Sequence, residues 1–271
     1  MKRTQKSEGI LLVSFGSTDE KAMKNTVFAL EEFICQEFPS FFVLSAITGD
    51  RVRKIWKERR AACLPDLEDA LHMMYKRGME KVYVLPTFLG QGMQYEKMQK
   101  ALFRWKKQFV LLDCAKPLLA GDKACTLTAK CLIEESGIGQ DETLILMGHG
   151  RKSSVPLEYH GLWRALEKLF PCHTVIEFLQ DERGLENAAR KAWGLGREKL
   201  CLMPLLFLAG YHVRTEMAGK ENSWKSFLED KGFLVRIKAR GLGEMIGIRK
   251  ILKANLCEII EKRTGRERRK Q

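Results

Sequence analysis

The stretch "VYVLPTFLGQGMQ" at 82–94 returns as "LCLMPLLFLAGYH" at 200–212, with Pro86 on Pro204 and Gly92 on Gly210. In each copy an apolar run reaches a proline and then passes through a short loop to a glycine. A second pair repeats the relation: "LLVSFGS" (11–17) lies on "LILMGHGR" (144–151) when Gly16 is set on Gly150. Two matches in the same order mark an internal duplication, with a boundary near residues 116–125. Each half holds four apolar runs. In the first they are "GILLVSF" (9–15), "FFVLSAI" (41–47), "KVYVLPTF" (81–88) and "FVLLDCA" (109–115). In the second they are "TLILMG" (143–148), "HTVIEFL" (173–179), "KLCLMPLLF" (199–207) and "FLVRIKA" (233–239). Continuous runs of this length suit parallel strands covered on both faces.

Helical patterns separate the runs. "DEKAMKNTVFALEEFICQEF" (19–38) reads as a helical segment, and in "DLEDALHMMYKRG" (66–78) Leu67, Ala70, Leu71 and Met74 share a face. Gly78 sits where a helix C-cap belongs. This alternation predicts an α/β protein of two similar doubly wound parallel-sheet domains with right-handed crossovers. They are expected at 1–118 and 119–271, related by a pseudo-twofold with a cleft between them, the C-terminal helix packing back on the first. Ligands of such sheets bind beyond the carboxyl ends of the strands.

Composition bounds the function. At 271 residues, 45% hydrophobic and 30% charged, the chain has an ordinary globular make-up, and no apolar run approaches a membrane span. The basic "MKRTQKSEG" leads into "ILLVSFGS", which breaks at Gly16 without a small-residue cleavage site. It reads as a first strand, so a cytoplasmic protein with no membrane partner is expected. Eight cysteines lie scattered with no C-x-x-C pair, which suits core residues in a reducing compartment and disfavours a zinc ribbon. The net charge of +13 is shared between an unpatterned, frayed-looking tail, "EKRTGRERRKQ" (261–271), and clusters such as "RVRKIWKERR" (51–60). A solvated helical face or an anionic partner explains such clusters. Nucleic acid is not expected, because charge is its only support.

The duplication singles out two histidines. His149 stands opposite Phe15 and His212 opposite Gln94, so equivalent strand ends carry imidazoles in only one half. Imidazole is the commonest ligand for divalent metals of intermediate softness, and loops at strand ends are where such ligands converge. Gly148 and Gly150 flank His149 and leave room for a bulky ligand near the backbone. Glu177 in "HTVIEFL" is a third candidate, with Val175 on its face of the strand. His72, His160 and His173 read as structural or surface residues. "SFGS" and "GHG" look like phosphate-cradling turns but fit no nucleotide fingerprint, and "GLGRE" (194–198) and "GLGE" (241–244) do not follow strands as one requires. No nucleotide is expected. A two-lobed solute-binding protein would fit the architecture, but it explains neither the paired histidines nor the missing export signal.

The anchors "VSFG", "YEKM" (95–98), "MGHG", "LMPL…LAG-H", "MAG", "NSW" (222–224) and "GLGE" together resemble the anaerobic sirohydrochlorin cobaltochelatases, within the type II tetrapyrrole chelatases. The likeness runs over about residues 11–260. It implies insertion of Co²⁺, as substrate metal, into sirohydrochlorin or a related polycarboxylate tetrapyrrole in cobalamin biosynthesis. It also implies a metal site of His149, Glu177 and His212, with His149 as base and principal metal contact. Phe15 and Phe88 would pack on the macrocycle, beside Gly16, Gln94, Gly148 and Gly150, or else belong to the core. The chain departs from the family where "VEGYP" becomes "IEFLQ" (176–180), "GDH" becomes "GYH" (210–212), and an acidic residue becomes Gln94. The alternative reading is therefore a tetrapyrrole- or metal-binding homologue with altered metal (Ni²⁺ or Fe²⁺) or no turnover. Homo-oligomerisation is left open by the sequence.

Overall fold

The computed structural model describes residues 7–60, 63–150 and 157–268, so Arg151, which closes the "LILMGHGR" match, lies outside it. β1 (Glu8–Ser14) lies between β2 (Phe42–Ile47) and β3 (Lys81–Pro86), with β4 (Leu111–Cys114) outside β3. In the second sheet β5 (Glu142–Gly148) lies between β6 (Thr174–Phe178) and β7 (Lys199–Leu205), with β8 (Leu234–Ile237) outside β7. Every pairing is parallel. The two sheets thus share one strand order, and all eight apolar runs became strands.

Burial follows position in the sheet. β1 and β5 are covered by a strand on either side and by helices on both faces, and Ile10, Leu11, Leu12, Leu144, Ile145 and Leu146 are fully buried. The edge strands β4 and β8 are half-buried and tolerate Asp113 and Arg236. On one face of the first sheet, Leu11, Val13, Val82 and Val84 pack against Leu67, Ala70, Leu71 and Met74 of α4 (Leu67–Lys76). Asp66 caps that helix by accepting from the Asp69 N–H, and Gly78 turns away from its end at φ +77°.

Residues up to Leu118 together with those from Arg249 onward make one unit, and Leu119–Ile248 make the other. The last helix, α10 (Ile246–Arg268), is tied within the first unit by Arg249, which donates to the Asn25 carbonyl at 2.7 Å, and by an ion pair of Lys253 with Glu37. The expected helical stretch 19–38 is continuous but widens in its middle: α1 (Glu20–Met23) passes through a π-helical segment (Lys24–Phe28) into α2 (Ala29–Glu37). The Thr26 hydroxyl bonds back to the Ala22 carbonyl and competes with the backbone ladder where the helix widens. The tail read as frayed continues α10 as far as Arg268, with Glu258 and Lys262 paired one turn apart.

No helix among the described residues is long and apolar enough to cross a membrane. None of the eight cysteines, all of them among the described residues, is joined in a disulfide. Burial pushes the Cys114 thiol up to about 12 and the Cys201 thiol up to about 11, which leaves both unreactive as nucleophiles.

The second sheet carries its own staple. Arg236 on edge strand β8 forms a two-pronged bond to Glu142 (2.5 and 2.7 Å) at the start of β5. It also donates to the Ser136 carbonyl at 2.8 Å, at the C-terminal end of α6 (Asp122–Ser136). The guanidinium holds the Glu142 carboxyl below the usual carboxylate range. A lowered folded-state pKa contributes stability above that range and loses it as pH falls through it. Arg236→Ala is accordingly expected to cost about 1–2 kcal/mol at pH 7, a figure discounted for solvent access to the guanidinium. The deficit should shrink in urea denaturation below about pH 4.

Candidate functional site

In a doubly wound sheet the chain leaves two adjacent strands in opposite directions, and the loops beyond that switch point form a crevice for ligands. In the second sheet the adjacent strands are β5 and β7, which lead outward to β6 and β8. His149 follows β5 directly, and His212 follows the loop after β7. Their rings meet with centroids 5.1 Å apart and planes at 83°. The two imidazoles thus lie next to each other beyond the same end of the sheet. His149 is exposed and His212 half-exposed, so water and ligand reach both.

Each histidine loop is held by a different device. Leu179 N–H donates to the Gly148 carbonyl and Gln180 N–H to the His149 carbonyl, at 2.9 and 3.1 Å. Phe178 lies across the loop. A Cβ on Gly148 would come within 2.7 Å of its ring, and one on Gly150, at φ +71°, within 2.4 Å of its Cβ. Tyr159 closes over Phe178 edge-on, with centroids 5.0 Å apart. The space beside both glycines is therefore filled by the protein's own side chain, where the sequence suggested clearance for a bound ring.

The loop after β7 is held by "GLGE". Leu242 N–H donates to the Leu206 carbonyl and Gly243 N–H to the Phe207 carbonyl, at 2.9 and 3.0 Å. A Cβ on Gly241 would fall 2.6 Å from the Phe207 carbonyl oxygen, so only glycine fits there. The chain then enters a π-helical segment (His212–Met217), a form that recurs at functional sites. Val213 and Met217 are buried in the second core and fix the segment. Glu216 Oε2 lies 2.6 Å from His212 Nδ1. Sequence reasoning missed this residue and Phe178. The one signal for Glu216 is its four-residue spacing from His212 on a helical stretch.

Glu177 is not brought to the pair. It faces α8 (Gly184–Gly194) with Val175, is almost fully buried, and takes a 2.6 Å bond from Lys191. Burial raises its pKa, while Lys191 pulls it back down. Among the described residues no three His, Cys, Asp or Glu side chains are grouped to hold a metal. In the first unit Phe15, opposite His149 in the repeat, is 46% exposed at the end of β1. Phe88 is half-buried against the first core, Gln94 is half-buried near the start of α5 (Met93–Trp105), and Gly16 turns at φ +83° against Ile47. His173 is a buried structural residue between the Pro171 and Gln140 carbonyls, while His72 and His160 are exposed.

A protein-family model described as cobalt chelatase (CbiK) matches residues 8–261. The chain belongs to the cobalt chelatase (CbiK) family. It is 28% identical to the sirohydrochlorin cobaltochelatase CbiKC of Nitratidesulfovibrio vulgaris, over 248 residues spanning 89% of this chain and 86% of that one. In structure it resembles the sirohydrochlorin chelatase SirB from Bacillus subtilis subspecies spizizenii in complex with cobalt. That TM-score is 0.64 at 16% identity, covering 96% of this chain and 97% of the other. It also resembles CbiX, the terminal enzyme of siroheme biosynthesis in denitrifying bacteria, with a TM-score of 0.57 at 15% identity over 92% of this chain and 98% of that one. At such identities the structural likeness speaks to the fold alone.

Gly148→Ala should cost about 1–3 kcal/mol by overpacking against Phe178. In a Phe178→Ala background the added methyl enters vacated space, so the penalty should vanish in a double-mutant cycle read by urea denaturation. Lys191→Met leaves the buried Glu177 carboxylate without its cation and should cost about 1–3 kcal/mol at pH 8. Because burial raises the folded-state pKa, Glu177 is best tolerated below the ordinary carboxylate range and costs stability as pH climbs through the raised value. The deficit of Lys191→Met should therefore be smaller at pH 5 than at pH 8.

Proposed function

We propose that this chain inserts Co²⁺ into sirohydrochlorin, with His149 and His212 holding the incoming ion and His149 accepting a pyrrole proton. The observation that carries the reading is the convergence of the two imidazoles at the second sheet's switch point in a cobalt chelatase family chain. Metallation replaces two pyrrole protons by one M²⁺ while the ion sheds its water. A neutral imidazole lends its lone pair either to the ion or to a proton. A structural metal site closes its shell with four protein ligands. Two imidazoles leave most of the shell to water and to the macrocycle nitrogens, which suits an ion that must be released to the product. The net charge of +13 favours approach of a polycarboxylate, an attraction that weakens with salt.

One observation favours a second reading. Glu177, the carboxylate the family resemblance assigns to the metal, is engaged by Lys191, which is what a homologue with altered metal preference or without turnover would show. Insertion kinetics with sirohydrochlorin and Co²⁺, Ni²⁺ or Fe²⁺, followed by absorbance, separate the two. The expected result is acceleration over the spontaneous rate, greatest with Co²⁺. His149→Ala should lose roughly a hundred- to ten-thousand-fold in rate while its circular-dichroism melt is unchanged. Tetrapyrrole binding with no acceleration by any of the three metals would favour the binding-protein reading.

A further inference from the structure

The π-helical segment His212–Met217 sorts its side chains into two pairs of equal spacing. Val213 and Met217 are buried and anchor it, whereas His212 and Glu216 share a half-exposed side. There Glu216 Oε2 sits 2.6 Å from His212 Nδ1. An ionised carboxylate can only accept a hydrogen bond, so in the neutral ring the proton belongs on Nδ1 and the lone pair on Nε2. Metal-binding histidines commonly use their second nitrogen in this way, with a carboxylate fixing tautomer and ring direction and raising ligand basicity. Glu177 is occupied by Lys191, so among the described residues Glu216 is the carboxylate seen against this histidine pair.

We propose that Glu216 is a positioning residue for the metal substrate. It holds His212 in the Nδ1–H tautomer, presents Nε2 beside His149, and places a negative charge behind the imidazole to help draw Co²⁺ from water. The inference rests on the reading that His149 and His212 hold the ion, and it adds to that reading a residue acting through His212 alone.

The test uses the full chain without tetrapyrrole. Long-range ¹H–¹⁵N spectra at mildly alkaline pH report which His212 nitrogen carries the proton, and titration with Co²⁺ followed by its visible absorption gives Kd. Wild type is expected to show the Nδ1–H tautomer. Glu216→Ala should mix the tautomers and weaken Co²⁺ binding about 10- to 100-fold. Glu216→Gln keeps an acceptor and the side-chain shape, so it should keep the tautomer and lose only several-fold in affinity. In turnover both variants should raise KM for Co²⁺ and leave KM for sirohydrochlorin unchanged. A wild-type His212 protonated on Nε2, or wild-type Co²⁺ affinity in both variants, overturns the proposal. If instead Co²⁺ affinity is indifferent to His149→Ala and His212→Ala, the metal-site reading itself fails. The tautomer measurement keeps those two failures distinct.

Discussion

The site depends on the parallel pairing of β5 with β7, the two strands from which the chain departs in opposite directions. Their register sets Met147 beside Pro204 and Gly148 beside Leu205, so both strands end at the same level and release their loops into one crevice. No side-chain interaction in the site achieves this by itself. The hydrogen-bonded ladder does, and it is stable because β5 is buried on both faces and flanked on both sides. The remaining devices trim what the ladder delivers. Phe178 pins one loop, "GLGE" pins the other, and the π-helical segment turns His212 toward His149.

The first sheet makes the same frame and puts different residues on it. β1 and β5 end at matching places in the repeat, and a phenylalanine follows one where a histidine follows the other. Burial keeps the strands alike because both need apolar runs. The residue just past each strand is freed from that demand and is where the copies diverged. The same holds for Gln94 and His212 beyond β3 and β7. A duplicated scaffold thus carries imidazoles in one copy, and in the other an exposed aromatic and an amide.

Glu177 shows how a strand residue and a loop residue differ as site candidates. A side chain on a strand takes the face that alternation assigns it, and Glu177 shares its face with Val175, toward α8. A buried carboxylate there needs a cation, and Lys191 supplies it. Glu216 is under no such constraint. It sits on a half-exposed helical turn and meets its histidine because four residues separate them.

All eight strands, the duplication and the two histidines were legible in the sequence, because apolar runs, repeated prolines and glycines, and an imidazole replacing a phenylalanine are local signals. The widening of the first helix was not, since it depends on one hydroxyl competing with the backbone and on an arginine reaching back from α10. Nor was the role of Gly148 and Gly150. Small residues announce that space is needed, but only the packed chain shows that Phe178 occupies it. Apolar runs and residue types are enough to set the fold class and to single out the side chains able to hold a metal. The tertiary structure alone decided which of them meet. The ring separation of His149 and His212, the capture of Glu177 by Lys191 and the approach of Glu216 to His212 all depend on strand register, strand face and helical pitch. Those quantities exist only once the chain has packed.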